Sequence, residues 1–141
     1  GGCFLEPGRA HAISLCREFR GVLVRSAGFE QALAGGRGQL KARLLDRARL
    51  AGLGNLLVDE VLWRADLSPH RPAGLLDTDE VRRLRRVVRR VLDQMDRRGG
   101  SHTGDLFDAR RPGGVCPRDG TGLRRATVGG RTTWWCPAHQ G

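Results

Sequence analysis

The sequence predicts a mainly α fold, a small helical bundle closed by a C-terminal β-hairpin ribbon. Three observations carry this. Leucines recur at helical spacing on both sides of a glycine corner, "AGLGN". A long amphipathic run extends from Asp77 to Gly99. Finally, "LRRATV" and "RTTWWC" flank Gly129-Gly130, a pair suited to a type I′ turn.

Residues 1–36 form a poorly defined N-terminal segment without sustained periodicity. Within it, "FRGVLV" suits one short strand and "FEQALAGG" a turn of helix ended by glycines. A helical domain is expected over 37–100. In "LKARLLDRARLA", Leu40, Leu44, Leu45 and Ala48 share a helical face, with Lys41, Arg43, Arg47 and Arg49 on the others. Glycine then breaks the run, since it readily takes positive φ. Asn55 is the expected N-cap of the next helix, "LLVDEVLWRADL". "SPHRPAG" follows as an extended, proline-stiffened connection.

The third helix is the clearest element. Asp77 with Glu80 fits a capping box, and Val81, Leu84, Val88, Val91 and Met95 line one face. Arg82, Arg83, Arg85, Arg86, Arg89 and Arg90 crowd the other side, with too few acids nearby to pair them. That stripe reads as a solvated face or as a net positive field. Gly99-Gly100 ends the helix. Residues 101–115 read as a linker, and 116–141 as a zinc-finger-like hairpin. The sequence contains no internal repeat.

The charge balance narrows the partner. Against 15 Asp+Glu stand 25 Lys+Arg, a net charge of +10 on 141 residues. Such an excess favours a polyanion, and nucleic acid is the commonest for a basic domain. A membrane partner is not expected: no lipidation motif occurs, and no apolar run nears the ~18 residues of a span. Charges interrupt the opening segment, so it does not read as a secretory signal, and a cytoplasmic setting is expected. In a reducing compartment Cys3, Cys16, Cys116 and Cys136 suggest metal ligands or free thiols before disulfides.

Two constellations carry chemistry. In "AGLGNLL" a glycine turn opens a helix, and backbone N–H groups at a positive helix end suit a phosphate, with Asn55 adding a donor. The same residues also read as a plain corner, with Gly52 and Gly54 turning and Asn55 capping. It is not a P-loop, which needs a different glycine-lysine order. The second constellation is "CPRDGTGLRRATVGGRTTWWCPAHQ". Its two Cys-x-x steps resemble a zinc ribbon, but each ends in another residue: Cys116 pairs with Asp119, and Cys136 with His139. Zinc accepts cysteine, histidine and carboxylate ligands, though a carboxylate weakens the site. A metal-free hairpin packed on Trp134, Trp135 and Leu123, or a Cys116–Cys136 disulfide, stays open as an alternative. His11, His70 and His102 are scattered singles, and a surface or satisfied role is expected for each.

"LKARLLDRARLAGLGNLLVDEVLWRADLSPHRPAG", a long helix and a ribbon with "GGRTTWWCP" together resemble the C-terminal half of the formamidopyrimidine-DNA glycosylase / endonuclease VIII family. The resemblance runs from Gln39 to Gln140, with two separated motifs in the expected order. It implies a helix-two-turns-helix DNA-binding module plus a zinc finger. It further implies that Asn55, with Gly54, contacts the phosphate beside the lesion and that Arg131 at the hairpin tip clamps phosphates of the flipped nucleotide. Lys41 matches a lysine near the DNA backbone, and Glu60 an acid that organises the module. Where the family's finger has four cysteines, this chain offers Cys116, Asp119, Cys136 and His139.

The family's chemistry implies an N-terminal proline amine and a neighbouring glutamate on a β-sandwich domain. Residues 1–36 match neither. The expected function is therefore binding of damaged or abasic-site duplex DNA in base-excision repair, by a monomer with zinc as cofactor. The rivals are an active glycosylase and abasic-site lyase, when joined to or paired with that domain, and an RNA- or ribosome-associated basic protein.

Overall fold

The computed structural model describes Phe29, Leu33, residues 38–46 and residues 53–141. Among these, helices α1 (Leu40–Leu45), α2 (Asn55–Ala65) and α3 (Thr78–Arg98) precede strands β1 (Arg124–Val128) and β2 (Arg131–Trp135). The strands form an antiparallel two-stranded hairpin. The predicted fold class is the observed one.

Helix α1 has only six residues, too few to be stable in isolation. The proline-rich connection supports it: Leu40 N–H donates to the Arg71 carbonyl (2.7 Å) and Lys41 N–H to that of Pro69 (3.1 Å). Two N–H groups that a helix start leaves unpaired are thereby satisfied without a side-chain cap. The helix was expected to continue toward Ala48, but Asp46 is already extended at φ −71°, ψ 107°. Aspartate hydrogen-bonds readily in non-helical conformations and is a weak helix former. Ala48 lies outside the described residues, as does the "FRGVLV" strand. Of "FEQALAGG", Phe29 and Leu33 are helical and buried.

Helix α2 corrects the capping assignment. Gly54 is the N-cap and Asn55 the first helical residue, and no side chain caps this end. The Asn55 amide reaches instead to the hairpin, donating to the Thr132 carbonyl at 3.1 Å. Helix α3 bears out its expected start: the Asp77 carboxylate accepts from Glu80 N–H (2.8 Å) and Glu80 from Asp77 N–H (3.0 Å). It ends at Gly99 with φ 100°, where Gly99 and Gly100 N–H both donate to the Met95 carbonyl.

Leu40, Leu44, Leu57, Val58, Val61, Leu62, Leu84, Val88, Val91 and Met95 form one core between the three helices, with Phe29 and Leu33 added to it. Full burial of each such side chain contributes about 1.5–3 kcal/mol. On α3, Leu84, Val88, Val91, Leu92 and Met95 turn inward, whereas Arg82, Arg86, Arg89, Arg90 and Arg97 are exposed. At 100° per residue the two sets lie on nearly opposite faces, so these arginines point away from the bundle, whereas Arg83 and Arg85 at the flanks are half-buried and Arg83 Nε donates to the Ala65 carbonyl (3.0 Å). A second cluster of Trp63, Leu106, Cys116 and Cys136 sits between α2 and the ribbon. Residues 101–115, read as a linker, make two 3-10 turns around the buried Leu106.

The hairpin turn has φ 61° at Gly129 and 75° at Gly130, the left-handed pair that a type I′ turn requires. Gly129 also abuts α1, where a Cβ would lie 3.1 Å from Ala42 Cα; a Cβ on Gly130 would meet nothing within 4 Å. Gly130→Ala should cost only the left-handed backbone penalty, about 1–2 kcal/mol. Gly129→Ala should cost measurably more in urea unfolding, because it also pushes the hairpin off α1. Equal losses would mean that the turn is not seated there.

Candidate nucleic-acid interface and metal centre

The hairpin is fastened to the helices immediately beside its tip. The Thr132 carbonyl accepts from Asn55 Nδ2 (3.1 Å) at the start of α2 and from Lys41 Nζ (3.1 Å) on α1. Arg131, one residue earlier, stands exposed at the tip. Beneath it lies Asp59, 1 % exposed. Its Oδ1 accepts from Lys41 Nζ (2.6 Å); its Oδ2 accepts from Arg110 Nη2 (2.9 Å) and Nε (3.2 Å) and from Trp134 N–H (3.3 Å). Asn55 and Asp59 stand four residues apart, one turn on the same helix face. One carboxylate thus ties two cations and a strand to α2.

The electrostatics of this corner favour an anion. No acid lies in the first turn of α2 and no side chain caps it, so its N–H groups keep their partial positive charge. The Lys41 ammonium is buried, which pushes its pKa below the usual value; Asp59 opposes the shift, while Arg110 and Arg131 add to it. Two cations facing one carboxylate leave a net positive charge under the tip. Lys41, expected near a phosphate, lies inside this network with two of its three N–H groups committed. Asn55 commits one of its two amide hydrogens and retains a donor. Glu60, the acid expected to organise the module, accepts from Arg64 Nε (2.6 Å) and from Leu106 N–H (2.9 Å).

At the far end of α2 the four expected ligands converge. One donor atom each from Cys116, Asp119, Cys136 and His139 lies within 4.8 Å of the others. Cys116 Sγ is 3.5 Å from His139 Nε2, and Cys136 Sγ is 3.4 Å from Asp119 Oδ2. Tetrahedral zinc, with bonds of about 2.3 Å to sulfur and 2.0–2.1 Å to nitrogen or oxygen, implies donor–donor edges of about 3.5 Å. The residues fit such an ion. Both cysteines are free thiols. Burial pushes the Cys136 thiol up, whereas hydrogen bonds from Thr121 hold the exposed Asp119 carboxyl down at about 2. Trp63 Nε1–H donates to Cys116 Sγ (3.2 Å) and Arg118 N–H to the same sulfur (3.4 Å). The hairpin also has apolar support: Trp134 is buried, and the half-buried Trp135 meets the His70 ring at 4.9 Å.

The family model for the formamidopyrimidine-DNA glycosylase H2TH domain matches residues 22–105. The chain belongs to the formamidopyrimidine-DNA glycosylase family. It is 41 % identical to a formamidopyrimidine-DNA glycosylase of Thermus thermophilus over 130 residues, covering 81 % of this chain and 49 % of that protein. The Laribacter hongkongensis glycosylase is 38 % identical, with 82 % and 47 % covered. Two solved structures share the fold. MutM in complex with DNA containing carbocyclic 8-oxo-G aligns at TM-score 0.71 and 29 % identity, covering 82 % of this chain and 47 % of that one. Formamidopyrimidine-DNA glycosylase of Lactococcus lactis, noncovalently bound to AP-site DNA, aligns at TM-score 0.74 and 29 % identity, covering 83 % and 46 %. The chain therefore spans about half the length of the glycosylases it matches.

Within the glycosylase module, Gly54, Asn55, Lys41 and Arg131 come together at one end of α2, and the four metal-ligand candidates at the other. Asp59, Trp63, Asp66 and Arg118 contact these candidate residues, and Arg110 contacts Asp59, without being singled out by the sequence. For Asp59 a signal existed, its one-turn spacing from Asn55. Arg110 carries none, because only the packing of residues 101–115 brings it to α2.

Proposed function

We propose that this chain is the DNA-holding part of a formamidopyrimidine-DNA glycosylase, gripping duplex DNA through its phosphates at a damaged or abasic position. The observation that carries the reading is the double clamp on the Thr132 carbonyl, which seats the Arg131 tip next to the uncapped start of α2. The Arg131 guanidinium is a planar fork matched to phosphate. Gly54 and Asn55 offer backbone and amide N–H groups to a second phosphate. Lys41 supports both by adding charge below the site and holding Asp59 and Thr132. The glycosylase structures bound to 8-oxo-G and AP-site DNA are consistent with this ligand. Distorted DNA is the preferred form, since extruding a nucleotide costs less where stacking is already lost.

Zinc is assigned to Cys116, Asp119, Cys136 and His139, as a structural cross-link between the two ends of the ribbon. It keeps the hairpin in shape, and no reaction step runs through it. Base excision and strand cleavage are assigned to no residue of this chain, and binding as a monomer is proposed. Competition between abasic-site duplex and structured RNA of equal length tests the reading. The duplex should displace RNA at several-fold lower concentration. RNA binding as tightly would favour a ribosome-associated role.

A further inference from the structure

We propose that Asp66 is the outer carboxylate of the metal centre, holding the His139 ring with Nδ1–H toward α2 and Nε2 toward the ion. The inference rests on the zinc assignment above and names a residue outside the ligand set.

Asp66 breaks two local rules at once. It closes α2 in the left-handed region with φ 60°, the one non-glycine residue with positive φ among the described residues. Glycine or asparagine is the usual choice for a left-handed residue at a helix end. It also sets a negative charge at the negative end of the helix dipole. Residues that contradict their local setting point to a compensating interaction elsewhere.

Here the compensation is visible. Asp66 Oδ1 lies 3.0 Å from His139 Nδ1 and is paired with the Arg118 guanidinium. Arg118 Nη1 itself approaches His139 Nδ1 at 3.4 Å. A carboxylate oxygen accepts, so the 3.0 Å contact with Asp66 puts the hydrogen on His139 Nδ1, while the more distant Arg118 Nη1 directs its donor to the same carboxylate. Nε2, 3.5 Å from Cys116 Sγ, is then left with its lone pair facing the other ligands. A carboxylate behind a ligating histidine fixes its tautomer and raises its basicity. That is the support a site needs when two of its donors are not thiolates. Trp63, on the same last turn of α2, donates to Cys116 Sγ and lies under Arg118 at 5.3 Å. The end of α2 thus forms the wall behind two ligands, one on each Cys-x-x step.

The test measures zinc affinity of the full chain by competition with a chromogenic chelator, comparing Asp66→Gly and Asp66→Asn with the parent. Glycine keeps the left-handed backbone and removes the acceptor; asparagine keeps an acceptor oxygen without the charge. Asp66→Gly should weaken zinc about 10–100-fold, and Asp66→Asn should fall between it and the parent. The metal-free Asp66→Gly chain should unfold at no lower urea concentration than the parent, which separates lost ligand support from lost folding. In the zinc-loaded parent, imidazole nitrogen NMR should show His139 with the proton on Nδ1. Affinities of both variants within twofold of the parent, or a proton on Nε2, would overturn the proposal. A parent chain that takes up no zinc would overturn it together with the ligand assignment, leaving DNA binding to its own competition experiment.

Discussion

Asp59→Ala is expected to destabilise the module by about 3–5 kcal/mol, the typical cost of stranding a buried charge whose partner is removed. Lys41 is fully buried and Arg110 largely so, and both lose their carboxylate in this variant. Trp134 N–H loses its acceptor as well, which loosens β2 on α2. Urea unfolding measures the loss. Combining it with Lys41→Met should recover a substantial part, because a buried ion pair replaced by apolar residues of similar size is often neutral. A single-variant loss below about 1 kcal/mol would show that the pair is solvated and does not fasten the hairpin.

The second large effect concerns affinity. On the proposed DNA-holding role, Arg131→Ala removes one charge-assisted phosphate contact, worth about 1.5–3 kcal/mol, so affinity for abasic-site duplex should fall roughly 10–150-fold. The salt slope should flatten by about one unit, the signature of a lost phosphate contact. Arg131→Lys should restore part of the affinity, as a point charge without the bidentate fork. Asn55→Ala should also weaken binding, because it removes both the proposed phosphate donor and the tether to Thr132. Fluorescence anisotropy on a labelled duplex measures both variants. If neither alanine changes affinity, the roles given to Asn55 and Arg131 are wrong.

The parts readable from sequence are those set by local chemistry. The Asp77–Glu80 box, the glycine stop after α3 and the Gly129-Gly130 turn each depend on neighbours within a few residues, and each appears as expected. The metal-ligand candidates were legible because Cys-x-x spacing positions two donors from one short loop. The Asn55 cap was misjudged because a partner 77 residues away, the Thr132 carbonyl, draws the amide out. Lys41 looks like a surface cation in its arginine-rich helix, and only tertiary packing reveals Asp59 beside it. Asp66 is read locally as the last polar residue of a helix, since nothing in its neighbourhood announces His139, 73 positions on. The arginine stripe was legible as charge but not in direction. The outward orientation of Arg82, Arg86, Arg89 and Arg90 follows from which side of α3 meets the core.

The cradle formed by the start of α2 and the Arg131 tip is tested most directly by titrating the purified chain with abasic-site duplex at low ionic strength and repeating the titration at rising salt. Binding should be tighter than to the intact duplex, and log K should fall with log salt at a slope of about −4 to −5, as expected for ~4–6 neutralised phosphates. No binding at low salt, or equal affinity for abasic and intact duplex, would contradict it.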